Sequence, residues 1–181
     1  MNKTKLIALC GLCGAVAVVC LVCLSYVKWV ALALAVVGSV VVCCPQMIDG
    51  KYLWYSVATY LVAVAVGLLL GNPVYVAPVA LYAMPYCICK LFCKHKQPRN
   101  KALWVSIKWI ANLLLVAIAV VVTALLTNWL MPDLWKKFWQ NKTVVWVAAA
   151  AILLATVAYD KLLDGSIYLV KNALEKSKFG K

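Results

Sequence analysis

The chain has 181 residues, of which 67% are hydrophobic and 13% are charged, and its mean hydropathy is +0.96. Soluble domains are usually about half apolar and about a quarter charged, so this composition excludes an ordinary soluble domain and indicates a protein that crosses a membrane several times. The 18 Lys and Arg residues outnumber the 5 Asp and Glu residues and give a net charge of +13, but a chain this apolar is not a solvated nucleic-acid binder.

Two charge-free apolar runs at the start of the chain predict the first two membrane spans. They cover 6–27 and 29–48, and a transmembrane helix needs about 20 mostly apolar residues. Pro45 interrupts the second run near its end. The first run is longer than the core of a secretory signal, and no small-residue cleavage site follows it before Trp29, so we expect it to be retained as a helix.

The next apolar run, from Tyr52 to Cys89, predicts two spans joined by a turn. As one straight helix it would be about 57 Å long, whereas the hydrocarbon core of a bilayer is about 30 Å thick. Gly71-Asn72-Pro73 has the composition of a turn. It divides the run into spans at 52–70 and 74–92.

The second half of the chain predicts two more spans and an amphipathic C-terminal helix. The fifth span covers 103–131, provided that Lys108 extends its ammonium group to the interface, and the sixth covers 143–160. The stretch 161–176 has apolar residues with lysines between them. It predicts an amphipathic helix that either extends the sixth span or lies on the inner membrane surface.

The segment between the last two spans predicts a short amphipathic helix. Trp135, Phe138 and Trp139 recur at helical spacing, Leu134 shares their pattern, and Asp133 is a suitable N-cap. This helix either anchors the chain in the outer headgroup region or forms a lid over a site that opens outward.

The fold class predicted from these runs is all-α: a polytopic membrane protein with a single integral membrane domain, 1–181, built as a bundle of about six transmembrane helices with short loops. An even number of crossings puts both termini on one side. The positive-inside rule makes that side the cytoplasm, because only Lys28, Lys136, Lys137 and Lys142 then fall outside and Lys108 lies within a span. The protein is therefore expected in the cell membrane, with the basic tract 94–101 as its strongest cytoplasmic anchor.

Cysteine spacing raises the question of redox chemistry. The pairs Cys10/Cys13 and Cys20/Cys23 have the CxxC spacing of redox motifs, but they lie inside an apolar run, where thiols are unreactive. We interpret them as small apolar side chains, with a membrane thiol oxidoreductase as an alternative. The only histidine, His95, lies in a basic loop, so no metal site is predicted.

Acidic residues are scarce, which argues against proton pumps and metal-dependent enzymes. Asp160 and Asp164 are four residues apart on one helical face, but Lys161 and the lysine-rich tail favour salt bridges over a shared ion. No hydrolase, metalloprotease or nucleotide-binding motif occurs. The sequence predicts neither enzymatic activity nor a cofactor.

Polar side chains within the spans are the remaining candidates for a ligand site, since in hydrocarbon each must find a partner. They are Thr59, Tyr60, Tyr82, Asn112, Thr123, Thr127, Asn128 and Thr156. Asn112 lies mid-membrane, where we expect an interhelical hydrogen bond. Asn72, Tyr75, Asn128 and Trp129 lie near the outer face and are the predicted lining of an outward pocket for a small uncharged or anionic molecule.

The first helix carries small residues at close spacing, with Gly11 and Ala15 four apart, a pattern that lets another helix approach closely. That helix belongs either to this chain, as internal packing, or to a partner protein. A short chain with six spans, cytoplasmic termini, a first helix that opens Lys3-Thr4-Lys5-Leu6-Ile7-Ala8-Leu9 and no enzymatic motif resembles the substrate-binding S components of energy-coupling factor (ECF) transporters. The resemblance is one of layout over nearly the whole chain, and the cysteine content departs from it.

The resemblance implies a function and partners. Ala8, Gly11 and Ala15 would dock on a transmembrane coupling subunit driven by ATPases, and residues of the outer half would bind a micronutrient. The alternative is a structural or regulatory membrane protein whose basic cytoplasmic face recruits partners or anionic lipid. Neither hypothesis involves nucleic acid.

Overall fold

The computed structural model describes residues 3–95 and 101–176, and this part of the chain is helical, with no strand. Residues 96–100 of the basic tract lie outside the described residues. The α-helices, in chain order, are α1 (Lys3–Tyr26), α2 (Ala31–Val42), α3 (Cys44–Ile48), α4 (Leu53–Leu70), α5 (Pro73–Pro78), α6 (Met84–His95), α7 (Lys101–Leu130), α8 (Pro132–Gln140) and α9 (Lys142–Lys176). Short 3₁₀ turns at Lys28–Val30 and Gly50–Tyr52 and a π-helical segment at Val79–Ala83 join some of them.

Helices of membrane-spanning length confirm the all-α class. Within the described ranges, 5 stretches are long and apolar enough to cross a membrane: Lys3–Tyr26, Gly50–Leu70, Pro73–Lys94, Val105–Leu130 and Lys142–Leu174. They correspond to the first, third, fourth, fifth and sixth predicted spans.

The predicted span 29–48 is divided between two helices. The apolar helix α2 has 12 residues, and after Cys43 the chain starts the short helix α3, with Pro45 in its first turn. Proline has no N–H to donate and clashes with the carbonyl four residues earlier. The interruption expected at Pro45 is therefore confirmed.

The predicted turn between α4 and α5 is confirmed. Asn72 is the N-cap of α5, and its Oδ1 accepts a hydrogen bond from the backbone N–H of Val74 at 3.0 Å. The backbone N–H of Asn72 donates to Ser25 Oγ at 2.8 Å, which ties the turn to the end of α1. A Cβ at Gly71 would lie 2.8 Å from the carbonyl oxygen of Gly67, so this close turn requires glycine.

The centre of the bundle is the stretch Pro73–Lys94, the most buried of the five long ones, while α7 and α9 keep most of their surface exposed. Helix α1 packs against α2 and α4. Gly67 of α4 permits a close approach there, because a Cβ at this position would lie 2.7 Å from Leu21 Cδ1.

The short helix α8 confirms the predicted amphipathic segment, with a different start. Met131 occupies the N-cap position and makes no side-chain capping bond, so the prediction of Asp133 as N-cap is wrong. Pro132 explains the earlier start, because its fixed φ favours the first helical position. Asp133 lies in the first turn instead, where a carboxylate still complements the helix dipole.

Residues 161–176 are predicted either to extend the sixth span or to form a helix on the inner membrane surface. The predicted span 143–160 and this stretch form one continuous helix, α9, of 35 residues. At a rise of 1.5 Å per residue this helix is about 53 Å long, well beyond a ~30 Å hydrocarbon core. Its C-terminal turns therefore extend the sixth predicted span.

Candidate functional site

A cavity of about 670 Å³ lies between α7 and α9 and is closed at one end by α8. This α7–α9 cavity falls within the roughly 300–1,000 Å³ of typical small-molecule sites. Ala119 and Val120 belong to its α7 wall, Ala148 and Ile152 to its α9 wall, and Tyr82 reaches it from the bundle centre.

Three aromatic side chains of α8 line the closed end of the cavity. The ring centroids of Trp135 and Phe138 are 6.2 Å apart, and the two rings are nearly parallel. The ring centroids of Trp135 and Trp139 are 5.5 Å apart, and these rings meet edge to face. The aromatic face predicted from the spacing is thus directed at the cavity, as a lid would require. Trp139 is also 55% exposed, so it keeps surface for an interfacial anchor.

The wall nearest the bundle centre belongs to an irregular helical segment. Pro78 and Tyr82 line the cavity at the π-helical segment Val79–Ala83. Such π-bulges occur frequently at functional sites. The hydroxyl of Tyr82 donates to Asn112 Oδ1 at 2.9 Å, which confirms the interhelical hydrogen bond expected for Asn112.

Threonine hydroxyls supply most of the remaining polarity of the lining. Thr127 Oγ1 donates to the carbonyl oxygen of Thr123 at 2.8 Å, and Thr156 Oγ1 donates to that of Leu153 at 2.8 Å. Thr123 Oγ1 is buried and has no hydrogen-bond partner among the described residues. None of the described residues that line the cavity is charged.

A second polar feature, the ion-pair cluster, joins α6, α7 and α9. Asp160 is its centre: Lys90 Nζ lies 2.6 Å from Oδ1, Lys108 Nζ lies 2.7 Å from Oδ2, and the hydroxyl of Tyr86 donates to Oδ1 at 2.7 Å. Lys90 Nζ also lies 2.8 Å from Asp164 Oδ1. The two ammonium groups balance the two carboxylates, so the cluster ties three helices together without a net charge.

The ion-pair cluster confirms the salt bridges predicted for the two aspartates, but with other lysines. Lys161 is exposed, and the partners are Lys90 and Lys108. Lys108 pairs with Asp160, and the expectation that its ammonium group reaches the membrane interface stays a prediction. Sequence spacing pointed to a neighbour on the same helix, whereas these lysines come from helices brought together only by the fold.

The four residues predicted to line an outward pocket, all of them described, do not line the α7–α9 cavity. Asn72 caps α5, and Tyr75 is half-buried in the same helix. Asn128 and Trp129 lie exposed near the end of α7. Thr127, the neighbour of Asn128, does line the cavity, and it belongs to the polar residues that the sequence singles out within the spans.

The small residues of α1 divide between two faces. Gly14 and Ala17 are buried, and a Cβ at Gly14 would lie 3.6 Å from the side chain of Thr59. Ala8, Gly11 and Ala15 are exposed, and no described atom lies within 4 Å of a Cβ built at Gly11. Internal packing therefore accounts for the first face and leaves the second open.

Four of the nine cysteines are buried in the packed interior. All nine lie in the described ranges as free thiols, and Cys13, Cys20, Cys43 and Cys87 are buried. Cys10, the partner of Cys13 in the first CxxC pair, is half-buried. Within the described part of the chain, no group of three or more His, Cys, Asp or Glu residues is arranged to hold a metal ion.

The sequence matches no family model, no curated protein and no solved structure. The resemblance to S components therefore stays a prediction from layout.

Proposed function

We propose that the protein is a non-enzymatic integral membrane component that binds an uncharged small molecule in the α7–α9 cavity, as a small transport component of S-component type. The observation that carries this proposal is a cavity of ligand size whose described lining residues carry no charge. An anionic ligand is disfavoured, because a buried charge without a partner is costly.

The proposed topology has six crossings in the cell membrane. Residues 31–48, which form α2 and α3, extend over about 27 Å if they are helical throughout, close to the ~30 Å core. With both termini in the cytoplasm, the exposed Lys3, Lys5 and Lys94 lie inside, in agreement with the positive-inside rule. Helix α8 and the cavity beneath it then belong to the outer half of the membrane.

The open face of α1 is the proposed docking surface for a transmembrane coupling subunit with its ATPases. Ala8, Gly11 and Ala15 present almost no side-chain bulk, and this face is exposed along the helix. Small residues allow a second helix to pack closely in the bilayer, where packing rather than hydrophobicity drives association.

Native mass spectrometry of the protein purified in a mild detergent tests the ligand proposal. We expect a retained small molecule in the wild type and its loss in Ala148→Trp, which fills the cavity. The matched control is Ala150→Trp on the same helix, since Ala150 is exposed and does not line the cavity. Equal retention by both variants, or no retained molecule in the wild type, contradicts the proposal.

Co-purification tests the docking surface. Gly11→Leu combined with Ala15→Leu should abolish association with a coupling module while leaving the fold intact, because a Cβ built at Gly11 meets no described atom of another helix within 4 Å and Ala15 is exposed. Ala58→Leu with Ala65→Leu on α4 is the control, since both alanines are exposed. Association that survives the first pair would exclude this face as the docking site.

A second candidate function rests on the exposed basic residues. Lys90 and Lys108 are engaged by aspartates, whereas Lys3, Lys5 and Lys51 are exposed. These lysines support a regulatory or structural role in which the inner face recruits anionic lipid or acidic partners. Binding to anionic vesicles that weakens steeply with salt, in a protein with no retained small molecule, would favour this function.

A further inference from the structure

We propose that the ligand of the α7–α9 cavity is an uncharged single-chain amphiphile, a long alkyl or isoprenoid chain that ends in a hydroxyl or carbonyl group and is taken up sideways from the bilayer. This inference names the ligand class and therefore rests on the proposed function. It is carried by the chemistry of the lining, by one unpartnered hydroxyl and by the exposure of two lining residues.

The lining selects an apolar ligand. Aliphatic and aromatic side chains such as Val116, Ala119 and Phe138 form most of the wall, and no described lining residue is charged. A charged group placed there would lose its hydration without a partner. A molecule rich in polar groups would likewise leave most of its hydrogen bonds unmade.

One position in this lining calls for a hydrogen-bonding group. The hydroxyls of Tyr82, Thr127 and Thr156 already donate to protein oxygens. Thr123 Oγ1 is buried in the cavity wall without a partner among the described residues, and an unsatisfied buried hydroxyl is costly. Rotation about χ1, between the two rotamers that threonine adopts in a helix, would turn this hydroxyl towards the cavity, where a single hydroxyl or carbonyl group on the ligand would satisfy it.

Two residues that line the cavity are exposed on the outer surface of the bundle. Val120 and Ile152 line the cavity on α7 and α9, and they are 42% and 39% exposed. The adjacent surface is apolar as well, with Val121 and Leu153 56% and 59% exposed. Because helices of this composition face lipid at this depth, the cavity is accessible to a molecule dissolved in the bilayer.

The dimensions favour a chain rather than a helix of a second protein. A transmembrane helix crosses the whole ~30 Å core, whereas α8 lies across one end of the cavity. Along α7 the lining runs from Val116 to Thr127, about 17 Å of helix. This elongated shape suits an extended chain.

Photo-crosslinking with a lipid-like alcohol tests this inference. The full-length protein in phospholipid nanodiscs is irradiated with 1-dodecanol that carries a mid-chain diazirine, and the labelled residues are located by mass spectrometry. We expect saturable labelling of residues that line the cavity. Unlabelled dodecanol should compete, whereas dodecyl phosphate and the polar nucleoside adenosine should compete at least about tenfold less well, since the lining offers no partner for their charge or polar groups.

Two pairs of variants locate the binding. Thr123→Val keeps the side-chain shape and should weaken the apparent affinity for the alcohol roughly three- to tenfold, as expected for one lost hydrogen bond. Thr127→Val should have no effect, because the hydroxyl of Thr127 is already paired within the helix. Ala148→Trp should abolish labelling of the cavity, and Ala150→Trp should preserve it.

Each other outcome overturns a defined part of the proposal. Labelling that is indifferent to Thr123→Val removes the assigned head-group contact. A retained polar molecule that blocks the alcohol overturns the ligand class but leaves the proposed function intact. Absence of any retained or saturable ligand overturns both. Capture of a second polypeptide by a photoreactive amino acid placed at Ala148 would make the cavity a protein interface instead.

Discussion

The ammonium group of Lys108 in α7 lies 2.7 Å from Oδ2 of Asp160 in α9, although the two residues are 52 positions apart in the chain. Lys90 of α6 holds the other oxygen of the same carboxylate. This contact fixes the two long helices to each other beyond one end of the cavity, and α8 closes the other end. The cavity is therefore a space between two helices that are joined at both ends.

Removing the charge of Asp160 should destabilise the fold. Asp160→Asn leaves Lys90, only 7% exposed, and Lys108 without their main partner. We expect a loss on the order of 2–3 kcal/mol in the free energy of unfolding, less than the ~3–5 kcal/mol of a fully buried pair, because Asp160 remains 24% exposed. The fall in Tm of the detergent-solubilised protein measures this.

Two other aspartates provide a graded control. Asp164 is 56% exposed and contacts only Lys90 in the ion-pair cluster. Asp164→Asn should therefore lower the free energy of unfolding by less than about 1 kcal/mol, the usual contribution of an exposed ion pair. Asp133→Asn on the exposed surface of α8 should have little effect on Tm. A Tm that falls equally in all three variants would mean that the cluster has no special role.

The hydrogen bond between Tyr82 and Asn112 should show energetic coupling. Asn112→Leu removes the acceptor and leaves the half-buried hydroxyl of Tyr82 without this hydrogen bond. We expect the free energy of unfolding to fall by about 1–3 kcal/mol. In the double variant Tyr82→Phe with Asn112→Leu both polar groups are gone, so part of the loss should be recovered. A double-mutant cycle on Tm or chemical unfolding measures the coupling, and strictly additive effects would contradict the contact.

Two glycines should respond oppositely to the same change. Gly67→Leu should destabilise by at least about 1–3 kcal/mol, because its Cβ would already lie 2.7 Å from Leu21 Cδ1 in the core. Gly11→Leu meets open space, and leucine is the better helix former by roughly 0.8 kcal/mol, so it should be neutral or slightly stabilising. Unfolding measured in detergent distinguishes the two, and a damaging Gly11→Leu would show that α1 packs differently.

The number of crossings is tested by the location of tags in intact cells. Reporters fused at both termini should lie in the cytoplasm, and a small epitope inserted after Asn141, between α8 and α9, should be accessible from outside. Five crossings would place the two termini on opposite faces of the membrane. The short helices α2 and α3 would then fail to cross.

Particular residues show how far the sequence leads towards the candidate site. Thr123, Thr127 and Tyr82 stand out as polar residues within spans, and the aromatic spacing of α8 gives its amphipathic face, so several lining residues are identifiable in advance. The sequence does not show that these side chains converge on one cavity. The choice of Asn72 and Tyr75 rested on depth in the membrane alone, and depth does not specify which side of a helix faces a cavity.

The sequence by itself determined the helical class, the positions of five helices long enough to cross a membrane, the break at Pro45 and the turn at Gly71-Asn72, because these depend on local composition, chain length and backbone chemistry. Only the tertiary structure decided that Asp160 pairs with Lys90 and Lys108 and that α7 and α9 enclose a cavity under α8. Apolar helices of this kind have no strong sequence code for their neighbours, since every face is hydrophobic, and which faces meet depends on the packing of the whole bundle.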